Sequence, residues 1–271
     1  MNKINLVLQS TSIQVGDKCE ASEPNLLNDS IFMLNGEVIG FYIKQAPQKI
    51  SALIGIANAE LNSNRVPKSD MSRGAASKKC DATRTKQWTS VRDPVKPVPQ
   101  HSTILGSVAP KPHMRKPYPS ISSVHSVKTA QTFIRAMLLL ASESEKLIKE
   151  VSSDLWLKQA EEMAQVPKAW RFGNLWTSAI CNGNISAPFH RDTANMPNCC
   201  NVVMISRSES TGGNLVVPEF GLTIDSCDSS FLVFQAWRSI HGVTPIEILA
   251  EGGYRNSFIL YPLKAFKMLE D

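Results

Sequence analysis

The feature that most constrains the fold is a series of short β-rich runs that follows Pro167. They read LWTSAIC, NVVMISR, NLVVPEFG, LTIDSC, SSFLVFQ, IHGVTPIEIL and RNSFILYPL, and Gly, Asn, Asp and Ser separate them. Many short strands at close spacing are typical of a β-sandwich or a jelly roll. We therefore predict a jelly roll in the C-terminal part of the chain.

The residues before this series predict three further kinds of structure. Two apolar runs flank Asn35-Gly36, a strong hairpin signal, and the run KISALIGIANAEL has helical spacing. The polar, proline-rich stretch that follows predicts a partly ordered arm that wraps the core or folds on a partner. Two amphipathic helices are predicted next. The predicted fold class is α+β, with an N-terminal α+β region at 1–61, a basic arm at 62–122, and helices plus a jelly-roll core at 123–271.

Positive charge is concentrated in the arm. The 271-residue chain has a net charge of +5, whereas residues 62–120 contain twelve Lys and Arg and only three Asp, a local excess of +9. Such an excess predicts either contact with a polyanion such as nucleic acid or a solvated basic loop. Charge alone leaves both open.

Composition and cysteine spacing indicate the class of protein. Hydrophobic content of 42% and charged content of 20% are typical of a soluble globular protein. No apolar run approaches the roughly 20 residues that cross a membrane, and no secretory signal is recognisable. We therefore expect an intracellular, non-secreted protein with no membrane partner. The six cysteines form no C-x-x-C pair, so we expect buried free thiols and no structural zinc.

A candidate metal site lies among the predicted strands. His190 and Asp192 alternate with Arg191, so in a strand both side chains lie on one face. His241 is the only other histidine in the strand-rich region. Two imidazoles and one carboxylate form the facial triad that suits ferrous iron and leaves positions open, whereas a structural zinc site is closed by four ligands. A bare H-x-D is more often a solvent-facing pair.

A candidate carboxylate receptor follows the last of these ligands. Arg255 begins the run RNSFILY, and Ser257 lies two places later on the same strand face. A guanidinium with a nearby hydroxyl can bind a carboxylate in a bidentate manner. The distal carboxylate of 2-oxoglutarate needs such a receptor, while its 2-oxo acid end chelates iron. An isolated arginine would be interpreted as a surface residue, but the position of Arg255 downstream of the triad predicts a 2-oxoglutarate site.

Together these residues resemble the TET/JBP group of iron- and 2-oxoglutarate-dependent nucleic-acid base dioxygenases. HRDTANMPNCCNVV is similar to the TET run H-R-D-x-x-N-M-x-N-x-x-x-V-V, and HGVTPI is similar to H-x-x-T-P-[IL]. Arg255, Ser257 and Tyr261 match the TET pattern R-x-S with an aromatic residue six places after the arginine. The resemblance covers residues 170–265.

The resemblance implies a double-stranded β-helix core, Fe(II) and 2-oxoglutarate as cofactors, and dioxygen as cosubstrate. The implied roles are iron binding by His190, Asp192 and His241, 2-oxoglutarate binding by Arg255 and Ser257, a hydrogen bond to the target base from Asn195, and stacking on that base by Tyr261.

The implied substrate is a 5-methylpyrimidine in DNA. 5-Methylcytosine is the first choice and thymine the second, because an asparagine amide can rotate to suit either base. Leu263 occupies the position of a second base-contacting histidine of TET, and the TET cysteine-rich zinc region is absent. A protein or small-molecule hydroxylase and a non-catalytic DNA-binding jelly roll are also compatible with the sequence.

The predicted partner is double-stranded DNA with the target base flipped out of the duplex, bound by a monomer. Flipping costs a few kcal/mol, and phosphate contacts can offset that cost. The candidate phosphate contacts are the cations of the arm: Lys68, Arg73, Lys78, Lys79, Arg84 and Lys86.

Overall fold

The computed structural model describes residues 1–71, 99–111 and 118–267. The helices are α1 (Gln48–Asn62), α2 (Gln131–Val151) and α3 (Ser153–Ala164). The strands are β1 (Asn2–Asn5), β2 (Ser30–Leu34), β3 (Glu37–Ile43), β4 (Ser69–Asp70), β5 (His101–Val108), β6 (Ser120–Ile121), β7 (Ser178–Gly183), β8 (Ala187–His190), β9 (Asn201–Ser208), β10 (Ser210–Gly212), β11 (Leu215–Val217), β12 (Leu222–Ile224), β13 (Phe231–Phe234), β14 (His241–Val243), β15 (Ile246–Ile248) and β16 (Tyr254–Tyr261).

Two sheets form the core. The large sheet has the order β1-β2-β3-β13-β9-β16-β7-β5-β4, with β6 also paired to β5, and the small sheet has the order β12-β11-β14-β8. Apolar side chains of both sheets pack together, among them Phe32 and Leu232 from the large sheet and Leu215 and Ile224 from the small one. The predicted α+β class with a jelly-roll core is confirmed.

The predicted hairpin is present between β2 and β3. Asn35 and Gly36 both have positive φ, 53° and 84°, as a type I′ turn requires. Glycine and asparagine tolerate this conformation better than other residues, so the dipeptide sets where the chain reverses. The hairpin joins the large sheet because β3 pairs with β13.

The helices cover the face of the large sheet that points away from the small sheet. Ile54 of α1 and Phe133 and Met137 of α2 are fully buried, and they pack against Met204 and Phe258 of the central strands. Ser152 caps α3, since its side chain accepts a hydrogen bond from the Leu155 amide. The helices therefore back the strands that carry the site on their opposite face. Within the described residues, no helix is both long and apolar enough to cross a membrane.

The stretch predicted as a proline-rich arm contributes a strand that the sequence analysis does not anticipate. β5 pairs with β7 over six positions, from His101 opposite Gly183 to Gly106 opposite Ser178. Prolines lie on both sides of this segment and mask its strand pattern. Strands from all three predicted regions thus share the large sheet, and the proposed division into domains stays a prediction.

Candidate metal and carboxylate site

Strand pairing brings the two predicted histidine ligands together. His190 ends β8, His241 begins β14, and the two residues lie directly opposite each other in the small sheet. Asp192 follows in the turn after β8. One nitrogen or oxygen atom from each of the three side chains lies within 4.8 Å of the others, which is the spacing of a potential metal site. Pairing between strands that are far apart in the chain therefore assembles the predicted triad.

Backbone carbonyls orient both imidazole rings. Nδ1 of His190 lies 2.7 Å from the Pro188 carbonyl oxygen, and Nδ1 of His241 lies 3.0 Å from that of Ser239. A ring that donates from Nδ1 keeps the Nε2 lone pair free for a metal ion. Burial, and then the neighbouring His190, lower the pKa of His241 to about 4, which favours the neutral, metal-binding form.

Gly242 allows β14 to lie close to the N-terminal segment. A Cβ atom at Gly242 would lie 2.9 Å from Cβ of Cys19 and 3.0 Å from the Phe189 ring. Any larger residue would therefore push on the strand that carries His241. The N-terminal segment is also tied to β8, because the amide of Phe189 donates to the Asp17 carbonyl oxygen at 2.9 Å.

Two buried asparagines hold the carboxylate of Asp192. Asn201 Nδ2 donates to Asp192 Oδ2 at 2.9 Å, and Asn195 Nδ2 donates to the same oxygen at 3.3 Å. Asn195 Nδ2 also donates to Asn201 Oδ1 at 2.8 Å. The other carboxylate oxygen, Oδ1, lies 3.7 Å from His190 Nε2. Sequence reasoning missed Asn201, although it is the one polar residue that opens the apolar run NVVMIS within the motif.

One cavity connects this cluster to the predicted carboxylate receptor. Its volume is about 460 Å³, and its walls include all seven residues predicted to bind metal, 2-oxoglutarate or base. On β16 the side chains of Arg255, Ser257, Ile259 and Tyr261 line the cavity, as the alternation of a strand requires. The intervening Phe258 and Leu260 pack on the helical side.

Arg255 is a buried cation with an unused donor. The residue is only 3% exposed, Nη2 donates to the Gly213 carbonyl oxygen at 2.8 Å, and Nε has no hydrogen-bond partner in the described part of the chain. Among the described residues, no carboxylate forms an ion pair with it. Burial, and then the nearby Arg207, lower its pKa from 12.5 to about 9. A buried guanidinium without an anion fits a carboxylate ligand.

The neighbouring Arg207 contrasts with Arg255. It lies directly opposite Arg255 in the β9–β16 pairing, and its guanidinium donates to Ser210 Oγ and to the carbonyl oxygens of Ser210, Gly212 and Ser226. Its donors are therefore used within the protein. Sequence reasoning missed Arg207. Its position at the end of the run NVVMISR was the only signal that it could lie beside Arg255 in the sheet.

The glycine turn before β11 lets the protein approach Arg255 closely. Gly212 and Gly213 have φ of 69° and 71°, and a Cβ atom at Gly213 would lie 2.9 Å from Arg255 Nε. Ser257, 3% exposed, lines the cavity two residues beyond Arg255. The predicted receptor residues are thus in one cavity with the metal cluster.

The residues predicted to contact a base lie at the metal end of the cavity. Asn195 is bridged to Leu263, and the amide of Met196 donates to the Pro262 carbonyl oxygen at 2.9 Å. These contacts join the turn after Asp192 to the residues that follow Tyr261. The amide nitrogen of Asn195 is engaged by Asp192 and Asn201, so only its carbonyl oxygen lacks a partner among the described residues. The rotation expected from sequence is therefore restricted.

Of the predicted phosphate contacts, only Lys68 lies within the described residues. Lys68 donates to the carbonyl oxygens of Leu61 and Ser63, at 2.7 and 3.0 Å, and so closes the end of α1. It does not line the cavity. The other candidates, Arg73, Lys78, Lys79, Arg84 and Lys86, lie outside the described residues.

Comparison with known proteins adds a fold-level similarity. No protein-family model and no curated protein sequence matches the chain. The solved structure of NgTET1 in complex with 5mC DNA is similar over 95% of this chain and 85% of that chain, with 13% identity and a TM-score of 0.59.

Two further structures resemble the chain too weakly to support an argument. A bsmA homolog from Methylobium petroleophilum has 8% identity over 93% of this chain and 98% of its own, with a TM-score of 0.38. A 2OG-Fe(II) oxygenase family protein from Caulobacter crescentus has 11% identity over 82% and 77%, with a TM-score of 0.43. The similarity to NgTET1 carries the conclusion that this protein has a TET-like fold.

Proposed function

We propose that this protein is an Fe(II)- and 2-oxoglutarate-dependent dioxygenase that hydroxylates the methyl group of 5-methylcytosine in DNA. The observation that carries the proposal is a single cavity with His190, Asp192 and His241 at one end and the unpaired Arg255 in its wall. Neither part alone would suffice, since acidic and histidine clusters are common and buried arginines usually have partners.

The metal end suits ferrous iron. Two imidazole Nε2 atoms and one carboxylate oxygen would occupy one face of the ion, and the remaining positions would stay open. When bound, ferrous iron and 2-oxoglutarate supply the oxidising chemistry, with dioxygen as cosubstrate. The protein's own contribution is to orient the ligands and to keep water from a largely apolar cavity.

Arg255 and Ser257 would hold 2-oxoglutarate. The distal carboxylate would accept hydrogen bonds from the Arg255 guanidinium and from the Ser257 hydroxyl, which neutralises a buried charge. The 2-oxo acid end would then point toward the histidines. In this arrangement the protein would anchor the cosubstrate by the end that lies away from the metal.

The orientation of Asn195 favours 5-methylcytosine over thymine. Its amide nitrogen is engaged by Asp192 and Asn201, which leaves a carbonyl oxygen, an acceptor, for the substrate. Cytosine offers an amino donor at the corresponding edge, whereas thymine offers a carbonyl acceptor. The presence of 5mC DNA in the structure of NgTET1 is consistent with the same substrate here.

Access of a base in a duplex requires that the nucleotide be flipped out, because a stacked methyl group cannot reach a metal inside a cavity. A volume of about 460 Å³ is within the usual range for small-ligand sites, which suits an extruded base beside 2-oxoglutarate. Tyr261 lines the cavity where a base could stack. We further propose that the enzyme acts as an intracellular monomer and that the basic arm contacts the phosphates.

The test is incubation of the full chain with iron, 2-oxoglutarate and duplexes that contain 5-methylcytosine or only unmodified bases, followed by nucleoside mass spectrometry. We expect 5-hydroxymethylcytosine that depends on both cofactors, with Asp192→Ala as the inactive control. Formation of 5-hydroxymethyluracil instead would identify thymine as the substrate. No oxidised base in either duplex would contradict a DNA substrate and favour a protein or small-molecule hydroxylase.

A further inference from the structure

Asn201 makes contacts that no motif assigns to it. It is the first residue of β9, only 2% exposed, and it lines the cavity beside the metal cluster. The next residue, Val202, packs on the opposite face with the helical core. Alternation along β9 therefore directs a polar side chain inward at the one position that reaches Asp192.

The directions of the hydrogen bonds around Asn201 follow from the charge of Asp192. A carboxylate that binds a metal only accepts hydrogen bonds, so the amide nitrogen of Asn201 is the atom that must face Asp192 Oδ2, which lies 2.9 Å away. The Asn201 oxygen then points the other way and accepts from Asn195 Nδ2 at 2.8 Å. Asn195 Nδ2 donates its second proton to Asp192 Oδ2, which lies 3.3 Å from the nitrogen, and this bond closes the ring.

We propose that Asn201 is a positioning residue with two effects. It holds Asp192 so that Oδ1, 3.7 Å from His190 Nε2, is the oxygen that faces the metal. It also fixes the amide of Asn195 with the carbonyl oxygen as its free group. The second effect rests on the proposed function, because it takes a DNA base as the partner of Asn195, whereas the first concerns the metal site alone.

The first effect is tested with metal ions in the absence of 2-oxoglutarate and DNA. Asn201→Leu removes the donor and the acceptor and keeps the branched shape of the side chain, and Asn201→Ser avoids the added bulk if the leucine variant does not fold. We expect the affinity for Co(II), followed by its visible absorption in the folded protein, to fall about 10- to 100-fold in either variant. The ligand-field bands should also change shape, because the carboxylate is no longer held in one orientation.

Asn256→Ala is the matched control. Asn256 is also a fully buried asparagine of a central strand, but its amide donates to Asn58 and Asn62 on the helical face. Its loss should lower thermal stability without changing Co(II) affinity. If the Asn201 variants bind Co(II) as tightly as the wild type, or if Asn256→Ala weakens binding equally, the positioning role is refuted.

The second effect is read from the ratio of kcat/KM for 5-methylcytosine over thymine in otherwise identical duplexes. We expect this ratio to fall at least about tenfold in the Asn201 variants, since Asn195 can then rotate. An unchanged ratio with weakened metal binding would overturn the second effect alone. If the Asn201 variants bind Co(II) more weakly than the wild type but the wild type oxidises neither base, the proposed function is refuted and the metal-positioning role is intact.

Discussion

Replacement of Arg255 by methionine tests whether this residue is held ready for an anionic ligand. Arg255 is 3% exposed, and within the described residues its guanidinium hydrogen-bonds only to the Gly213 carbonyl oxygen. Its pKa, lowered from 12.5 to about 9 by burial and by Arg207, corresponds to about 5 kcal/mol of penalty on the charged form, at about 1.36 kcal/mol per pH unit. Below pH 9 the folded protein carries the proton, so this penalty is fully present at neutral pH.

The net effect of Arg255→Met is a balance of two terms. The substitution removes the penalty, but it also removes a charge-assisted hydrogen bond of about 1.5–3 kcal/mol and leaves the Gly213 carbonyl oxygen without a donor. We therefore expect the ligand-free variant to be more stable than the wild type by about 2 kcal/mol. An apolar side chain of similar length fills most of the same space.

Ligand binding should reverse this order. A ligand at 100 times its Kd stabilises the folded state by about 2.7 kcal/mol. We expect 2-oxoglutarate, in the presence of Co(II), to give the wild type this increase in the free energy of unfolding and to give Arg255→Met almost none. Urea unfolding followed by tryptophan fluorescence, with and without 2-oxoglutarate, measures both quantities.

Arg207→Met is the control for this experiment. Arg207 lies opposite Arg255, but its donors are bonded to Ser210, Gly212 and Ser226. Its removal should lower the free energy of unfolding by about 3–5 kcal/mol, because several buried acceptors lose their shared donor. If Arg255→Met destabilised the ligand-free protein as much as Arg207→Met, the interpretation of Arg255 as an unpaired cation would be wrong.

Three further predictions concern the surroundings of the site. Gly242→Ala should destabilise the protein by about 1–3 kcal/mol, because the new methyl group lies 2.9 Å from Cys19 Cβ. Adding Cys19→Gly to this variant should restore much of the lost free energy of unfolding, measured by urea unfolding. Burial, and then Lys68, lower the pKa of His101 below 6.5, so the unfolded chain binds a proton at this residue before the folded protein does as the pH falls. His101→Phe should therefore lose less stability than the wild type between pH 7.5 and 5.5. An equal loss of stability in the two proteins would contradict this prediction. Lys68→Met should lower thermal stability, because the end of α1 loses two hydrogen bonds. The same variant should leave the salt dependence of DNA binding unchanged. A shallower salt dependence would instead indicate that Lys68 contacts a phosphate.

The sequence predicted the fold class and the chemistry of the cavity because both depend on residue type and spacing. Short runs broken by turn residues predicted the jelly roll, and Asn35-Gly36 predicted the β2–β3 hairpin. The strand β5 was missed because prolines dominate its surroundings, and its partner β7 lies far away in the sequence. Pairing between distant segments has no local signal.

The same distinction separates what the sequence and the tertiary structure each determined about the site. The sequence alone predicted His190, Asp192 and His241 as a ligand set, and the alternation of a strand predicted that Arg255 and Ser257 lie on one face. Only the tertiary structure decided that the two histidines are register partners and that no anionic side chain of the described residues pairs with Arg255. It alone revealed the donor–acceptor ring through Asn201. The physical reason is that residue type states what a group can bond to, whereas packing decides which of those bonds the protein itself already satisfies.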